Sequence, residues 1–258
     1  MSKFFFCSSL DLINKHQWNA CIDNDHPFLQ YEFLNALEKS GSATIKTGWQ
    51  PHHYIENENE EIIAICPLYI KSHSFGEYIF DHSWADAYHR YGLNYYPKLQ
   101  SAIPFTPVTG NRIIISKKIK NIKEKENEII RNIITEAKKI NVSSLHFNFI
   151  NNPSKWKKNK DLMLRSGIQF HWRNNNYKSF DEFLEGLSSR KRKIIKKERL
   201  CISNNDLKVE LLSGDLIKEE HIQFFYDCYL DTTERKWGST YLSKNFFYDL
   251  LLNFKDKI

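Results

Sequence analysis

The 258-residue chain reads as an α/β protein built around a mixed sheet. Two observations predict this. Segments with period-two apolar alternation are interleaved with segments whose apolar residues recur every three to four positions. The composition, 41% hydrophobic and 26% charged, is that of a globular chain with enough apolar material for a core.

In order, KFFFCSS predicts a first strand. LINKHQWNACI and LQYEFLNALEKSG predict helices, the second carrying Leu29, Phe33 and Leu37 on one face and stopping at Gly41. GWQPHHYIE, EIIAICPLYIK and GEYIFDH predict three strands, with Pro67 forcing an edge or a bulge in the middle one. Ser83 is a cap for a short helix with Asp86 at its third position, ending at Gly92. An irregular segment follows. KEKENEIIRNIITEAKKI is the clearest helix, with Ile129, Ile130, Ile133, Ile134, Ala137 and Ile140 forming one apolar face. LHFNFI and IQFHW predict strands, with LMLRSG as a helix end between them. Residues 174–178 predict a linker. Ser179 and Glu182 form a capping box for a helix over 180–187. A basic helix, a strand (LKVELL) and helices near 217–231 and 242–254 complete the chain.

The strand-helix-helix start recurs in the second segment. The expected division is residues 1–175 as one domain and 176–258 as the basic helix plus the beginning of a second, incomplete copy. A copy that stops before its sheet buries too little to stand alone. It is expected either to be truncated or to dock on the first domain.

The formal charge of +6 suits an anionic partner. Cys7, Cys21, Cys66, Cys201 and Cys228 are scattered singly, so buried reduced thiols are expected rather than a zinc ribbon or disulfide framework. No apolar run has the length of a signal-peptide core or a membrane span, and a cytoplasmic location is expected. The glycines form no G-x-G-x-x-G, P-loop or G-x-S-x-G pattern, which disfavours dinucleotide enzymes, P-loop ATPases and serine hydrolases.

Three constellations can carry chemistry. Residues 80–110 gather aromatics and prolines around Asp81, His82, Asp86 and His89, with Asp86 and His89 on one helix face. This is either aromatic packing with mutual hydrogen bonds, or a polar pocket walled by Tyr95, Tyr96 and Phe105. A metal site is not expected. In the two predicted strands, His146 and Asn148, and Gln169 and His171, face away from the apolar side chains. They either position a substrate or line a solvated sheet face. Finally, seven of the ten residues from Arg190 to Arg199 are basic, either a solvated helix face or a stripe suited to phosphate. RNA binding is less favoured, because no aromatics interleave these cations.

HPFLQYEFLNALEKSGS, PLYIKSHSFGEYIFDHSWADAY, YYPKLQSAIPFTPVTGNR, SSLHFNF, QFHW, SSRKRKIIKKER and RKWGSTYLSKNFF together resemble the FemAB-like predicted N-acyltransferases, a bacterial family of peptidoglycan biosynthesis or recognition. The resemblance runs from about residue 26 to the end. It implies a pair of GNAT-type domains and transfer of an acyl or aminoacyl group to an amine, with a cell-wall peptide precursor or another small molecule as substrate. The rival reading is a non-catalytic precursor-recognition module. The donor implied is acyl-CoA, less readily aminoacyl-tRNA. The Gln/Arg-x-x-Gly-x-Gly/Ala loop that usually cradles CoA is absent, so either the donor site lies outside this sequence or the donor is not CoA. On this reading Asp81, His82, Asp86 and His89 handle protons. His146, Asn148, Gln169 and His171 position the substrate, and Lys98, Arg112, Arg190, Lys191 and Arg192 hold anionic groups.

Overall fold

A computed structural model describes residues 2–22, 26–205, 207–236 and 238–258. Trp237 of the RKWG motif lies outside the described residues. Two compact units result: residues 1–162 with 213–258, and residues 163–212.

The first unit carries eight strands: β1 (Lys3–Cys7), β2 (Trp49–Pro51), β3 (His53–Glu58), β4 (Glu61–Cys66), β5 (Tyr69–Lys71), β6 (Lys98–Ser101), β7 (Ile114–Ile115) and β8 (Leu145–Phe147). They form two four-stranded sheets, ordered β1-β3-β4-β7 and β2-β5-β6-β8. The first sheet is antiparallel. The second is mixed, because β6 and β8 run parallel. The single mixed sheet of the expectation is therefore two sheets, and prolines make the division. Pro67 ends one ladder, so β4 and β5 enter different sheets instead of forming one strand with a bulge. GWQPHHYIE divides likewise, just after Pro51, into β2 and β3. The strands β6 and β7 fall in the stretch expected to be irregular.

Helices α1 (Lys15–Ala20), α2 (Tyr31–Lys39), α3 (His82–Arg90) and α4 (Ile122–Lys139) belong to the same unit. Alternation along the central strands feeds two cores. Ile55 and Ile65 pack with Trp18, Leu34 and Leu37 of α1 and α2. Tyr54, Ala64 and Cys66 pack with Ile129, Ile130 and Ile133 of α4. Those three isoleucines are fully buried, and each contributes roughly 1.5–3 kcal/mol of apolar transfer. Ile70, Leu99, Leu145 and Phe147 extend the α4 core onto the second sheet. Its opposite face is thereby left to Lys71, Lys98, Gln100 and His146.

The chain returns to this unit after residue 212. Helices α7 (Glu219–Arg235) and α8 (Lys244–Asn253) follow, and Phe246 meets Phe33 of α2 edge-on at 5.6 Å. Of the two expectations for the end of the chain, these helices follow the docking one: Phe246 and Phe254 join the core of the first unit.

The second unit holds α5 (Phe180–Glu185) and α6 (Ser189–Ser203). Half of the capping box forms: Glu182 N donates to Ser179 Oγ at 3.2 Å, while the Glu182 carboxylate accepts from Lys178 N, one residue before the cap, at 2.8 Å. IQFHW and LKVELL form no strands, LMLRSG forms no helix, and GEYIFDH forms no strand in the first unit. Ile168, Phe170, Val209 and Leu211 are exposed. Alternation without a partner strand leaves backbone groups unpaired, and a strand does not persist alone.

Candidate functional site

The polar face of the second sheet is built by register. Trp49 of β2, Lys71 of β5 and Lys98 of β6 stand opposite one another across three strands. Segment 72–81 crosses this face as irregular chain and contributes Ser74, Glu77 and Asp81. Trp49 Nε1 donates to Phe75 O at 3.2 Å and Phe105 N to Gly76 O at 3.2 Å, fastening the segment. Gly76 has φ +75°, and a Cβ there would lie 2.5 Å from the Phe105 ring. Tyr78 and Phe105 themselves take φ values of +57° and +59°. Left-handed backbone at bulky residues costs about 1–2 kcal/mol each, so the surrounding contacts hold this segment in place.

Lys98 is the hub. Its ammonium donates to Ser74 Oγ at 2.9 Å, Glu77 Oε2 at 2.8 Å and Asp81 Oδ2 at 2.6 Å. All three of its protons are thus used. Tyr95 donates to the same Asp81 oxygen at 2.7 Å, and the hydroxyls of Tyr96 and Ser74 are 2.7 Å apart. With its amide turned to satisfy both neighbours, Gln100 donates to Glu77 at 2.9 Å and accepts from Asn148 at 3.2 Å. Lys71, Asp81, Lys98 and Gln100 are fully buried and Glu77 nearly so. Lys71 Nζ lies 3.6 Å from the centroid of the Trp49 ring. It and Asp81 Oδ1 are buried without a hydrogen-bond partner among the described residues.

Burial sets the protonation of this face. It pushes the Glu77 carboxyl up to about 7, against the pull of Lys98. It pushes the Lys71 ammonium down to about 7, against the opposing charge of Glu77. Burial also raises Asp81, but hydrogen bonds, led by that from Lys98, outweigh it and hold this carboxyl below its ordinary value. Tyr95 is raised by burial and then by its bond to Asp81. The face therefore carries a fixed pair, Lys98 and Asp81, beside two groups that exchange protons near neutrality.

The remaining sequence-selected residues distribute as follows. His82, Asp86 and His89 are exposed on or near the outer side of α3, away from the buried carboxylate of Asp81. Phe105 is half-buried between the rings of Trp49 and Tyr241. Arg112 is fully buried, but it grips main chain: Nε donates to Asn148 O at 2.8 Å and Nη2 to Val108 O at 2.6 Å. It ties two loops together. His146 contacts Ser144 Oγ through Nε2 at 2.8 Å. Gln169 and His171 lie in the second unit, exposed, 2.8 Å apart through Oε1 and Nε2. Arg190 and Lys191 are exposed there. Arg192 donates to the carbonyls of Leu184, Glu185 and Leu187, satisfying the end of α5. Cys7, Cys21 and Cys66 are buried, whereas Cys201 and Cys228 are exposed, contrary to expectation.

Sequence reasoning missed Lys71, Ser74, Glu77 and Gln100. One signal was available: in PLYIK, Lys71 falls two residues after Tyr69, on the same face of a buried strand. Among the described residues no three His, Cys, Asp or Glu side chains gather as a metal ion requires. Nor, among them, is any helix long and apolar enough to cross a membrane.

The family model for FemAB-like proteins, described as peptidoglycan biosynthesis/recognition, matches residues 9–258. No curated protein matches the chain. Among solved structures, a possible acetyltransferase from Clostridium difficile 630 is similar at 11% identity and a TM-score of 0.37, over 67% of this chain and 98% of that one. The match over nearly the whole sequence places this chain in the FemAB-like family of peptidoglycan biosynthesis and recognition.

Proposed function

We propose that the protein is an N-acyltransferase that moves an acyl or aminoacyl group onto an amine of a peptidoglycan precursor, acting in the cytoplasm. Family membership supports the substrate class. One observation carries the chemistry: the Lys98 cluster holds Glu77 and Lys71 at about 7, where each can take or give a proton at neutral pH. The acceptor amine attacks the donor carbonyl, a C–N bond forms, and the bond from that carbonyl to its carrier breaks. The proton lost by the amine passes to Glu77 or Lys71, and the departing carrier takes one up. In this reading the paired sheets are the GNAT-type scaffold that the sequence motifs suggest.

The face does not fit the pyrophosphate of acyl-CoA. The protons of Lys98 are spent on Ser74, Glu77 and Asp81, and Arg112 is committed to carbonyls. No step is therefore routed through CoA: the one ammonium of this face without a hydrogen-bond partner among the described residues is Lys71, lowered to about 7, too little charge for a pyrophosphate.

The test is to incubate the full chain with a nucleotide-linked precursor peptide and either acetyl-CoA or aminoacyl-tRNA, and to weigh the peptide. A mass gain that Glu77→Gln abolishes supports transfer. No gain with either donor sinks it. The recognition-module reading is favoured by the complete cover over Lys71, Asp81 and Lys98. It predicts precursor binding with no donor requirement.

A further inference from the structure

We propose that Lys71 and Asp81 form a two-point clamp for a ligand that presents an amine and a carboxylate together, as the end group of an amino acid does. This rests on the acyl-transfer reading only in naming the same face as the acceptor's site. It stands on the two unspent polar atoms. Lys98 Nζ, Tyr95 Oη, Ser74 Oγ and Glu77 Oε2 already have partners. Lys71 Nζ, a donor, and Asp81 Oδ1, an acceptor, have none among the described residues. Both residues are fully covered, where an unmet polar group is costly.

The two atoms belong to one cluster. Lys71 opposes Lys98 in register, and Lys98 holds the other oxygen of Asp81. Lys71 and Asp81 also both act on the charge of Glu77. They do not pair with each other, so a ligand that bridges them needs an acceptor for Lys71 and a donor for Asp81.

Charge selects the ligand further. Lys98 and Asp81 cancel, and Lys71 and Glu77 carry one proton between them or exchange it, so the face is close to neutral. A ligand with a single net charge would bring an uncompensated ion into a buried site. A zwitterion brings none. Its carboxylate keeps Lys71 protonated and its ammonium meets Asp81. Trp49, already against Lys71, supplies an apolar wall. Entry requires segment 74–78 to lift, which breaks its backbone bonds to Trp49 and Phe105 and the bonds of Ser74 and Glu77 to Tyr96 and Lys98.

The experiment is calorimetric titration of the full chain at about pH 7 with glycine, D-alanine and L-alanine, and with N-acetylglycine and glycinamide. The clamp predicts that the free amino acids bind and that either blocked derivative binds at least about tenfold more weakly. Lys71→Met, checked for an unchanged circular dichroism spectrum, loses at least about tenfold in affinity for the free amino acids. Asp81→Asn, which keeps the shape of the side chain, does the same. The proposal is overturned if no free amino acid binds, if blocked and free forms bind alike, or if Lys71→Met binds as the parent does. Absent binding would mean that ordered water alone meets the two atoms. No acyl donor is present in this assay. Failed transfer with intact amino-acid binding therefore sinks only the transferase reading.

Discussion

Replacing Lys71 by methionine should remove a pH dependence of stability. The Lys71 ammonium is fully buried and lowered from its ordinary value to about 7. A cation whose folded pKa lies below its unfolded one leaves the unfolded chain holding more protons, so stability rises with pH through the window above the folded value. Between about pH 7 and 8.5, integrating 1.36 kcal/mol per proton and pH unit gives a gain of about 1.5 kcal/mol. Glu77, raised to about 7, is finishing its own titration there and removes only a few tenths. Cys66, raised to about 12 in the fold, starts to lose its thiol proton in the unfolded chain toward the top of this window and removes a few tenths more. Urea unfolding at several pH values measures the slope. In the parent protein stability should climb, and in Lys71→Met the curve should be flat or fall slightly. An equal climb in both proteins, or none in the parent, refutes the assignment of a depressed Lys71.

Lys98→Met strands the carboxylates of Glu77 and Asp81, each fully buried at its side chain, and should cost about 3–5 kcal/mol in urea unfolding. Adding Glu77→Gln should return part of that loss. A double variant no more stable than the single one contradicts the hub. Phe246→Ala empties a buried position against Phe33 and should cost about 3–5 kcal/mol; a change under about 1 kcal/mol would mean that α8 does not belong to the first core. Arg192→Ala removes three bonds to the end of α5. It should speed hydrogen exchange in α5 and α6 while leaving the first unit unchanged, and uniform exchange rates would argue against the tie.

The elements with strong local signals were legible in the sequence. The isoleucine stripe of α4 and the Ser179 cap of α5 appear where periodicity and capping place them. Alternation in LHFNF correctly separates Leu145 and Phe147 from His146, because β8 pairs with β6 and its apolar side packs on α4. The same pattern in IQFHW fails, since no strand meets it. Period two states which face a residue would take and not whether a partner exists. For the site, Asp81, Tyr95, Tyr96 and Lys98 were selected from the aromatic run. The tool that would have joined Lys71 to them is cross-strand register, which unites residues 27 positions apart in the chain and leaves no local trace.

The pairing of Lys71 with Lys98 argues that this face is kept for a ligand. Like charges directly opposite on neighbouring strands repel, and Lys98 takes the hydrogen bonds of both carboxylates, so among the described residues none is left for Lys71. A side chain chosen for stability at this position would be apolar, since its neighbours on the strand and the Trp49 ring already provide an apolar setting. Lys71→Met is therefore expected to stabilise the protein near neutral pH while weakening its hold on free amino acids. Opposite signs for stability and binding are what a group serving a ligand produces. A purely structural lysine would lose both or neither, so one variant measured in two assays separates the alternatives.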